Sequence, residues 1–210
     1  MKKIAVLLIA LFAVAFSVNA IEIPAKTKAV LAEIENANKS LTTITSPVTE
    51  TRTMPNGKSF VSSGNFYFTN PNLLAIRYTS PAGDYLVINT EDVAQKKKQG
   101  RTFKLSIKKN QTMQHLSNTL LWCISGKLVS LAEANDATVA VSEANGLITV
   151  VFTAGGKTSK EFKKIELSYD KATKRIKTMA MTDKSNIVTK YTMDKPQYGT
   201  KIDASVFVVK

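Results

Sequence analysis

Residues 59–80 read SFVSSGNFYFTNPNLLAIRYTS, and this stretch predicts two paired β-strands. Apolar and small residues alternate over 59–69 and again over 73–80, and successive side chains of a strand point to opposite faces. The turn signal Asn70-Pro71-Asn72 separates the two runs. One face of the predicted hairpin carries large apolar groups, namely Phe66, Phe68, Leu74, Ile76 and Tyr78.

The same kind of pattern continues on both sides of this hairpin. Residues 41–54 are rich in threonine and β-branched types, and short apolar runs separated by turns recur up to residue 107 and again from residue 138. Turns of a few residues cannot join parallel strands, which need a crossover of a dozen or more. We therefore expect about ten or eleven antiparallel strands in a meander or an up-and-down barrel, with residues 206–209 as the last strand.

Two segments have the period of a helix instead. Residues 25–38 carry an apolar stripe, and residues 113–131 repeat apolar side chains at intervals of three and four. Gly126 is a predicted break between two pieces of the second segment. The stripe of the first segment consists of Val30, Leu31, Ile34 and Ala37.

The predicted barrel raises the question of what fills it. A barrel of more than eight strands is too wide for its own side chains to fill, so a ligand, a plug or a helix must occupy the interior. An apolar site beneath a movable helical lid is one interpretation, and an ordinary packed core is the alternative. The predicted walls of the cavity are Phe66, Phe68, Leu74, Ile76, Tyr78, Leu86, Ile88, Phe103 and Leu105.

The first twenty residues have the features of an export signal. A basic start is followed by apolar residues 4–16 and by the small residues Val18 and Ala20, which signal peptidase recognises. The apolar run is too short to span a bilayer core, which needs about 20 residues. We expect a cleaved signal peptide at 1–20 and a single exported, periplasmic domain at 21–210. An uncleaved N-terminal membrane anchor is the alternative.

The chain is strongly basic. Lysine and arginine total 29 against 16 acidic residues, which gives a formal net charge of +13. The basic residues concentrate at 96–98, 101–109 and 157–177. Nucleic acid is not the expected partner, because the protein is predicted to be exported and no predicted helix carries a basic stripe. An anionic membrane surface, an acidic partner protein and a merely solvated lysine-rich surface remain as interpretations.

The sequence offers little for covalent chemistry. It contains one cysteine, Cys123, and one histidine, His115, which excludes a four-ligand Cys/His zinc site and a disulfide within the chain. Eight residues apart on a helix, these side chains would diverge by about 80°. The acidic residues are dispersed, and residues 155–158 (GGKT) predict a hairpin turn, because the first glycine of a phosphate-binding loop is missing. We expect no metal, no cofactor and no enzymatic activity. An enzyme that uses His115 or a carboxylate as its base is the alternative.

Three further motifs occur in a characteristic order. Residues 64–74 (GNFYFTNPNLL) match the pattern G-x-[FL]-x-[FV]-x-x-P-N-L-[LF] and are followed by Tyr78-Thr79-Ser80-Pro81 and a strand at 84–88. Residues 118–122 (NTLLW) and 203–208 (DASVFV) are similar to the start of a lid helix and to a D-x-x-x-F-x-F ending. Together these motifs resemble the LolA family of periplasmic lipoprotein carriers.

This resemblance implies a fold and a function. It implies an incomplete antiparallel β-barrel, covered by an N-terminal helix and a central helical lid, that binds the acyl chains of lipoproteins and transfers them from the inner to the outer membrane. The implied partners are an inner-membrane ABC transporter (LolCDE-like) and an outer-membrane acceptor, with transient membrane contact by a monomer. The residues that fall on the implied lid are Leu120, Leu121, Trp122 and Ile124.

One position departs from the family pattern. The family's carriers have an arginine immediately before the proline of the turn, where it locks the lid, whereas this sequence has Asn70. An asparagine amide is shorter and uncharged, so it cannot supply the charged fork of arginine. The family fold also serves lipid sensors and carriers of other lipids, so a periplasmic lipid-sensing or adaptor protein is the alternative function.

Overall fold

The structure is a computed structural model that describes residues 23–97, 100–155 and 162–209. The signal peptide expected at 1–20 lies outside the described residues. Most of the turn predicted at 155–158 and Lys98 of the basic run at 96–98 lie outside them as well.

In the part of the chain that the structure describes, twelve strands form one antiparallel sheet. The long strands agree with the alternation in the sequence, and those predicted at 59–69 and 73–80 are confirmed to the residue. The strands are β1 (Thr43–Thr53), β2 (Ser59–Thr69), β3 (Leu73–Ser80), β4 (Ala82–Ile88), β5 (Asp92–Lys96), β6 (Phe103–Ser106), β7 (Ala137–Ala144), β8 (Leu147–Ala154), β9 (Phe162–Asp170), β10 (Ile176–Asp183), β11 (Val188–Met193) and β12 (Gln197–Tyr198).

The order of the strands leaves the sheet open. Strands β1 to β6 pair in sequence order, strands β7 to β11 do the same, and β1 pairs with β11 to join the two halves. Strands β6 and β7 are the two ends of this order, and the two-residue β12 pairs with β1. The expected incomplete antiparallel barrel is confirmed.

The register aligns the large apolar side chains of neighbouring strands. Side chains two residues apart point the same way, so each row of opposing residues lies on a single face. We call the face that carries these rows the inner face. Its rows across β2, β3 and β4 are Phe66–Ile76–Leu86 and Phe68–Leu74–Ile88.

Three helices pack against the inner face, namely α1 (Ala25–Asn38), α2 (Gln111–Ser125) and α3 (Leu128–Ala134). The helix predicted at 25–38 is confirmed, and Gly126 separates α2 from α3 as predicted. Gly126 has a φ of +76°, the left-handed conformation that glycine adopts readily at the end of a helix. Apolar side chains of all three helices and of the inner face belong to one continuous cluster.

The strand predicted at 206–209 is wrong. Residues Ala204–Phe207 form a 3₁₀ helix instead, because the Asp203 carboxylate accepts a hydrogen bond from the Ser205 backbone nitrogen at 2.8 Å and caps it. Phe207 is buried against the outer face of the sheet, beside Tyr85 and Val87. The C-terminal segment therefore covers the face opposite the helices.

Candidate functional site

The predicted wall of the cavity lies on the inner face, in the middle of the apolar cluster. Its members on β2, β3 and β4 are all buried beneath the helices. These buried members are Phe66, Phe68, Leu74, Ile76, Tyr78, Leu86 and Ile88. The structure thus brings together seven of the nine side chains that the sequence analysis selected.

The two predicted wall residues on β6 differ from the others. Register places Phe103 opposite Gln95 and Leu105 opposite Val93, so both continue rows of the inner face. Phe103 is nevertheless 61% exposed and Leu105 is only half-buried. Strand β6 ends the sheet, where the apolar cluster does not reach these two side chains. Phe103 therefore lies on the inner face, as predicted, but outside the part that is buried in the apolar cluster.

The predicted lid residues belong to α2. Leu120, Leu121 and Ile124 are buried against the inner face, and Trp122 is half-buried at the margin of the same cluster. Side chains of the helices occupy the concave side of the sheet. A wide barrel could be filled by a ligand, a plug or a helix, and in this structure helices fill it. Sheet and helices meet through apolar groups.

Both ends of α2 are well-defined turns. Asn110 caps the first turn, since its side-chain oxygen accepts a hydrogen bond from the Met113 backbone nitrogen at 3.1 Å. Gly126 ends the helix, and its backbone nitrogen donates to the Trp122 carbonyl oxygen. A capped start and a glycine end mark α2 as a separate rigid unit between two turns.

A hydrogen bond also connects α2 to the sheet. The Tyr169 hydroxyl on β9 donates to the Cys123 carbonyl oxygen across 3.0 Å, and both residues are fully buried. This carbonyl lies in the last turn of α2, where backbone oxygens have no partner within the helix. Tyr169 therefore satisfies a buried polar group that would otherwise lack a partner.

Asn70 contacts the start of β1. Its side-chain nitrogen donates to the Leu41 carbonyl oxygen at 2.8 Å, and its backbone nitrogen donates to the Thr42 carbonyl oxygen at 2.8 Å. Asn70 also lines a surface cavity of about 720 Å³, whose lining includes Ser125 and Lys127 from the end of α2 and the turn after it. Asn70, at the position expected to lock the lid, thus links the turn between β2 and β3 to the segment between α1 and β1.

A buried polar group on the inner face was missed by the sequence analysis. Glu50 is 2% exposed, accepts a hydrogen bond from the Tyr78 hydroxyl, and forms an ion pair with the Lys97 ammonium at 2.6 Å. The Tyr191 hydroxyl interacts with both Glu50 and Tyr78. We call Glu50, Tyr78, Tyr191 and Lys97 the polar cluster. The available signal was the even spacing of Glu50 from Ile44, which assigns it to the inner face.

Burial dominates the electrostatics of this cluster. It raises the pKa of Tyr78 and of Tyr191 well above the usual value for a phenol, and the neighbouring carboxylate adds to both shifts. Both hydroxyls therefore keep their protons into the alkaline range and remain available as donors. Lys97, in the basic run at 96–98, bonds a buried carboxylate and is not merely a solvated charge.

The histidine and the cysteine have separate environments. The His115 Nε2 atom lies 3.2 Å from the Asn135 side-chain oxygen, whereas the Cys123 thiol is fully buried in the apolar cluster. Burial raises the pKa of the Cys123 thiol, which keeps it in the unreactive neutral form. Among the described residues, no three His, Cys, Asp or Glu side chains are grouped as a metal site requires. None of the helices described is long and apolar enough to cross a membrane.

One family model matches the sequence. A family model described as "Outer membrane lipoprotein carrier protein LolA" matches residues 41–210. No curated protein has a significantly similar sequence.

Several solved structures match the chain at low sequence identity. A LolA superfamily protein from Nitrosomonas europaea is 9% identical, with 87% of this chain and 97% of that chain covered and a TM-score of 0.43. An uncharacterized conserved protein from Thermus thermophilus is 11% identical, with coverages of 87% and 94% and a TM-score of 0.49. A chain of the Pseudomonas aeruginosa MucA/MucB complex is 11% identical, with coverages of 89% and 62% and a TM-score of 0.47.

Proposed function

Because the matching family model covers most of its sequence, this chain belongs to the LolA family, and we propose that it is a periplasmic carrier for the acyl chains of lipoproteins. The acyl chain would lie on the inner face of the sheet, in the space that α2 now occupies. The observation that carries the proposal is the single apolar cluster, to which the wall residues of β2 to β4 and the lid residues of α2 both belong.

The energetics favour an exchange of α2 for a lipid chain. Each CH₂ group moved from water to an apolar site contributes about 0.8 kcal/mol, so a chain of about 16 carbons gains on the order of 10 kcal/mol. Displacing α2 costs apolar contacts of the same kind, which offsets much of this gain. A net affinity reduced in this way allows the cargo to be released as well as captured.

The construction of α2 suits a lid. Its ends at Asn110 and Gly126 are turns, and its inner side is held mainly by apolar contacts, which have no directional requirement. A lid joined by a continuous network of hydrogen bonds would have to break all of them to move. Among the described residues, Tyr169 is the sheet residue whose side chain forms a hydrogen bond with the α2 backbone. Few hydrogen bonds to the sheet therefore break when α2 moves.

The proposal extends to location and partners. It assumes export by the signal peptide expected at 1–20, loading by an inner-membrane ABC transporter and delivery to an outer-membrane acceptor. The activity is binding and transfer with no covalent step, which agrees with the buried, protonated thiol of Cys123 and with the contact of His115 to the side-chain amide of Asn135. The surface charge would act in the encounter with anionic lipid or with an acidic partner.

Native mass spectrometry of protein purified from the periplasm tests this function. We expect a bound lipid or lipidated peptide in the wild-type protein and its loss in Ile76→Asp, because a carboxylate in the middle of the inner face is incompatible with an acyl chain. Val61→Asp is the matched control, since Val61 is 64% exposed. Thermal unfolding of both variants separates lost binding from lost folding.

A second variant provides the same test if Ile76→Asp does not fold. Leu86→Asp places a carboxylate on the same face, and it should abolish retention for the same reason. Leu86 is 9% exposed, the largest exposed fraction among the seven buried wall residues. Retention of cargo at the wild-type level in either folded inner-face variant would contradict the assignment of the site.

A further inference from the structure

Glu50 is an unexpected residue for the inner face. The inner-face positions on β1 from the apolar Ile44 to Glu50 extend about 20 Å at about 3.3 Å per residue, and Arg52 occupies the next position on the same face. Removing a carboxylate from water is costly, and a well-packed apolar residue in its place is often neutral or stabilising for the fold. Stabilisation of the core therefore does not explain why a glutamate occupies position 50. We favour a role for Glu50 in ligand binding.

The polar cluster is built by strands that are distant in sequence. Glu50 lies on β1, Tyr78 on β3 and Tyr191 on β11, where Tyr191 is the direct register partner of Glu50. Gly64 lies between Val48 and Tyr78 in the register, so no side chain on β2 separates Tyr78 from β1 at that row. Three neutral or acidic groups thereby converge at one end of the apolar surface.

Lys97 supplies the positive charge that pairs with Glu50, and it comes from a more distant strand. It follows β5, three strand positions beyond β2, and its ammonium reaches across the inner face, 5.9 Å from the centre of the Tyr78 ring. Its side chain is 32% exposed, whereas that of Glu50 is 3% exposed. Lys97 thus lies on the solvent side of the polar cluster, whereas the Glu50 carboxylate is buried and held in place.

The chemistry of the fixed members defines what they bind. A carboxylate with two tyrosine hydroxyls attracts a group that is positively charged and that donates several hydrogen bonds. The Lys97 ammonium has both properties and demonstrates that the site accommodates them. A phosphate or a carboxylate would be repelled by Glu50, and a quaternary ammonium has no N–H group to donate.

We propose that Glu50, Tyr78 and Tyr191 form the subsite for the polar end of the bound acyl ligand and that this subsite takes a primary ammonium group. In the protein without ligand, the Lys97 ammonium occupies the subsite, and the ligand displaces it. This inference rests on the proposed function, because it assumes that the acyl chain lies on the inner face. The ligand class is a lipid or lipidated molecule with a primary amine about one chain length from its apolar end.

Three short-chain probes with the same tail separate the two proposals. Decylammonium carries a primary ammonium, decyltrimethylammonium carries the same charge without N–H donors, and 1-decanol is neutral. All three are titrated into the mature full-length protein at pH 7, below their micelle concentrations. The fluorescence of Trp122 reports binding, since it is the single tryptophan of the chain and lies on the lid. The positive net charge of the protein affects the two cations equally.

Two variants test the roles of the charged residues. We expect wild type to bind decylammonium about tenfold more tightly than decyltrimethylammonium, in proportion to a charge-assisted hydrogen bond. Lys97→Met should strengthen decylammonium binding by about a further tenfold, because it removes the internal competitor and keeps the apolar stem. Glu50→Gln should abolish the preference. Lys104→Met is the matched control, since Lys104 forms an exposed ion pair with Asp92 and its loss removes the same charge.

The outcomes distinguish this inference from the proposed function. Equal affinity of wild type and Lys97→Met for all three probes would overturn the ammonium subsite and leave the acyl site intact. Failure of 1-decanol to bind would overturn the proposed function and the inference together. An increase in Lys104→Met as large as that in Lys97→Met would assign the effect to net charge and also overturn the subsite. The Lys97→Met arm decides the matter even if Glu50→Gln does not fold.

Discussion

Gly64 lies directly opposite Tyr78 in the register of β2 and β3, and a Cβ atom on Gly64 would come within 2.8 Å of the Tyr78 Cα atom. The same Cβ would lie 2.4 Å from the Arg77 carbonyl oxygen. Both contacts are with backbone, which cannot rotate away as a side chain can. The close approach of β2 and β3 at this row, and with it the reach of Tyr78 to Glu50, depends on the absence of a side chain.

Gly64→Ala should therefore destabilise the protein by about 1–3 kcal/mol, because β2 and β3 must separate locally to admit the methyl group. Urea unfolding followed by circular dichroism measures the change. Ser62→Ala is the control, since Ser62 lies on the same strand and the same face and loses only a hydroxyl. Equal stability of Gly64→Ala and wild type would show that the sheet adjusts at no cost.

Tyr169→Phe should loosen α2 while leaving the apolar cluster intact. The substitution leaves the Cys123 carbonyl oxygen buried without its partner, which costs about 1–3 kcal/mol. Opening of the helix then exposes the Cys123 thiol more often, so a thiol reagent should modify it at least several times faster at pH 8. The chain contains one cysteine, which makes the measurement specific. Tyr67→Phe on the outer face should not change the rate, and an unchanged rate in Tyr169→Phe would mean that this hydrogen bond does not hold the lid.

Stability should fall in alkaline solution. Burial raises the pKa of Tyr78, Tyr169 and Tyr191, so these phenols stay protonated in the folded protein above pH 10 while they ionise in the unfolded chain. The folded state then binds more protons than the unfolded state, and the free energy of unfolding falls as pH rises, by up to about 1.4 kcal/mol per unit for each group. The effect is absent below the unfolded pKa.

Thermal melts between pH 8 and pH 11 measure this dependence. Tyr191→Phe removes one of these groups and should give a shallower decline than wild type above pH 10. Parallel curves for the two proteins would show that Tyr191 is not protected from ionisation.

Arg77→Met should release the C-terminal segment from the outer face. The Arg77 guanidinium donates to the carbonyl oxygens of Val206 and Val208, and it lies 5.0 Å from the centre of the Tyr85 ring. Without these bonds, limited proteolysis should cut within residues 204–209 at a higher rate, while the melting temperature changes little. Arg101→Met removes an exposed arginine and should leave the cleavage rate unchanged. Equal resistance of Arg77→Met would assign the anchoring to the other contacts of the segment, such as the burial of Phe207 and the hydrogen bond from Asn89 to its carbonyl oxygen.

Local signals in the sequence predict most of the fold. The helix at 25–38 and the strands at 59–69 and 73–80 are predicted to the residue, because their periods differ clearly and turn residues separate them. Residues 206–209 show the limit of such reasoning. Their side chains favour a strand, but the Asp203 cap and the burial of Phe207 decide the conformation, and the second of these is a tertiary effect.

The site was predictable in its apolar part only. The alternation of apolar residues assigns Ile76 and its neighbours to one face, and the register of the sheet aligns them with the apolar residues of adjacent strands. The exposure of Phe103 could not be predicted, since it follows from the position of β6 at the end of the strand order. Glu50 was missed because a charged residue in a strand is ordinarily assigned to solvent, whereas here partners from β3, β11 and the end of β5 make its burial tolerable.

The strand order gives the two helices after β6 a mechanical role. Strands β6 and β7 are the free edges of the sheet, yet they are consecutive in the chain, and the segment that connects them contains α2 and α3. We expect a displacement of α2 to change the constraint on both edges at once, because one segment connects them. For the carrier function that we propose, a membrane partner that binds the β6 and β7 edges could therefore distinguish the loaded protein from the empty one.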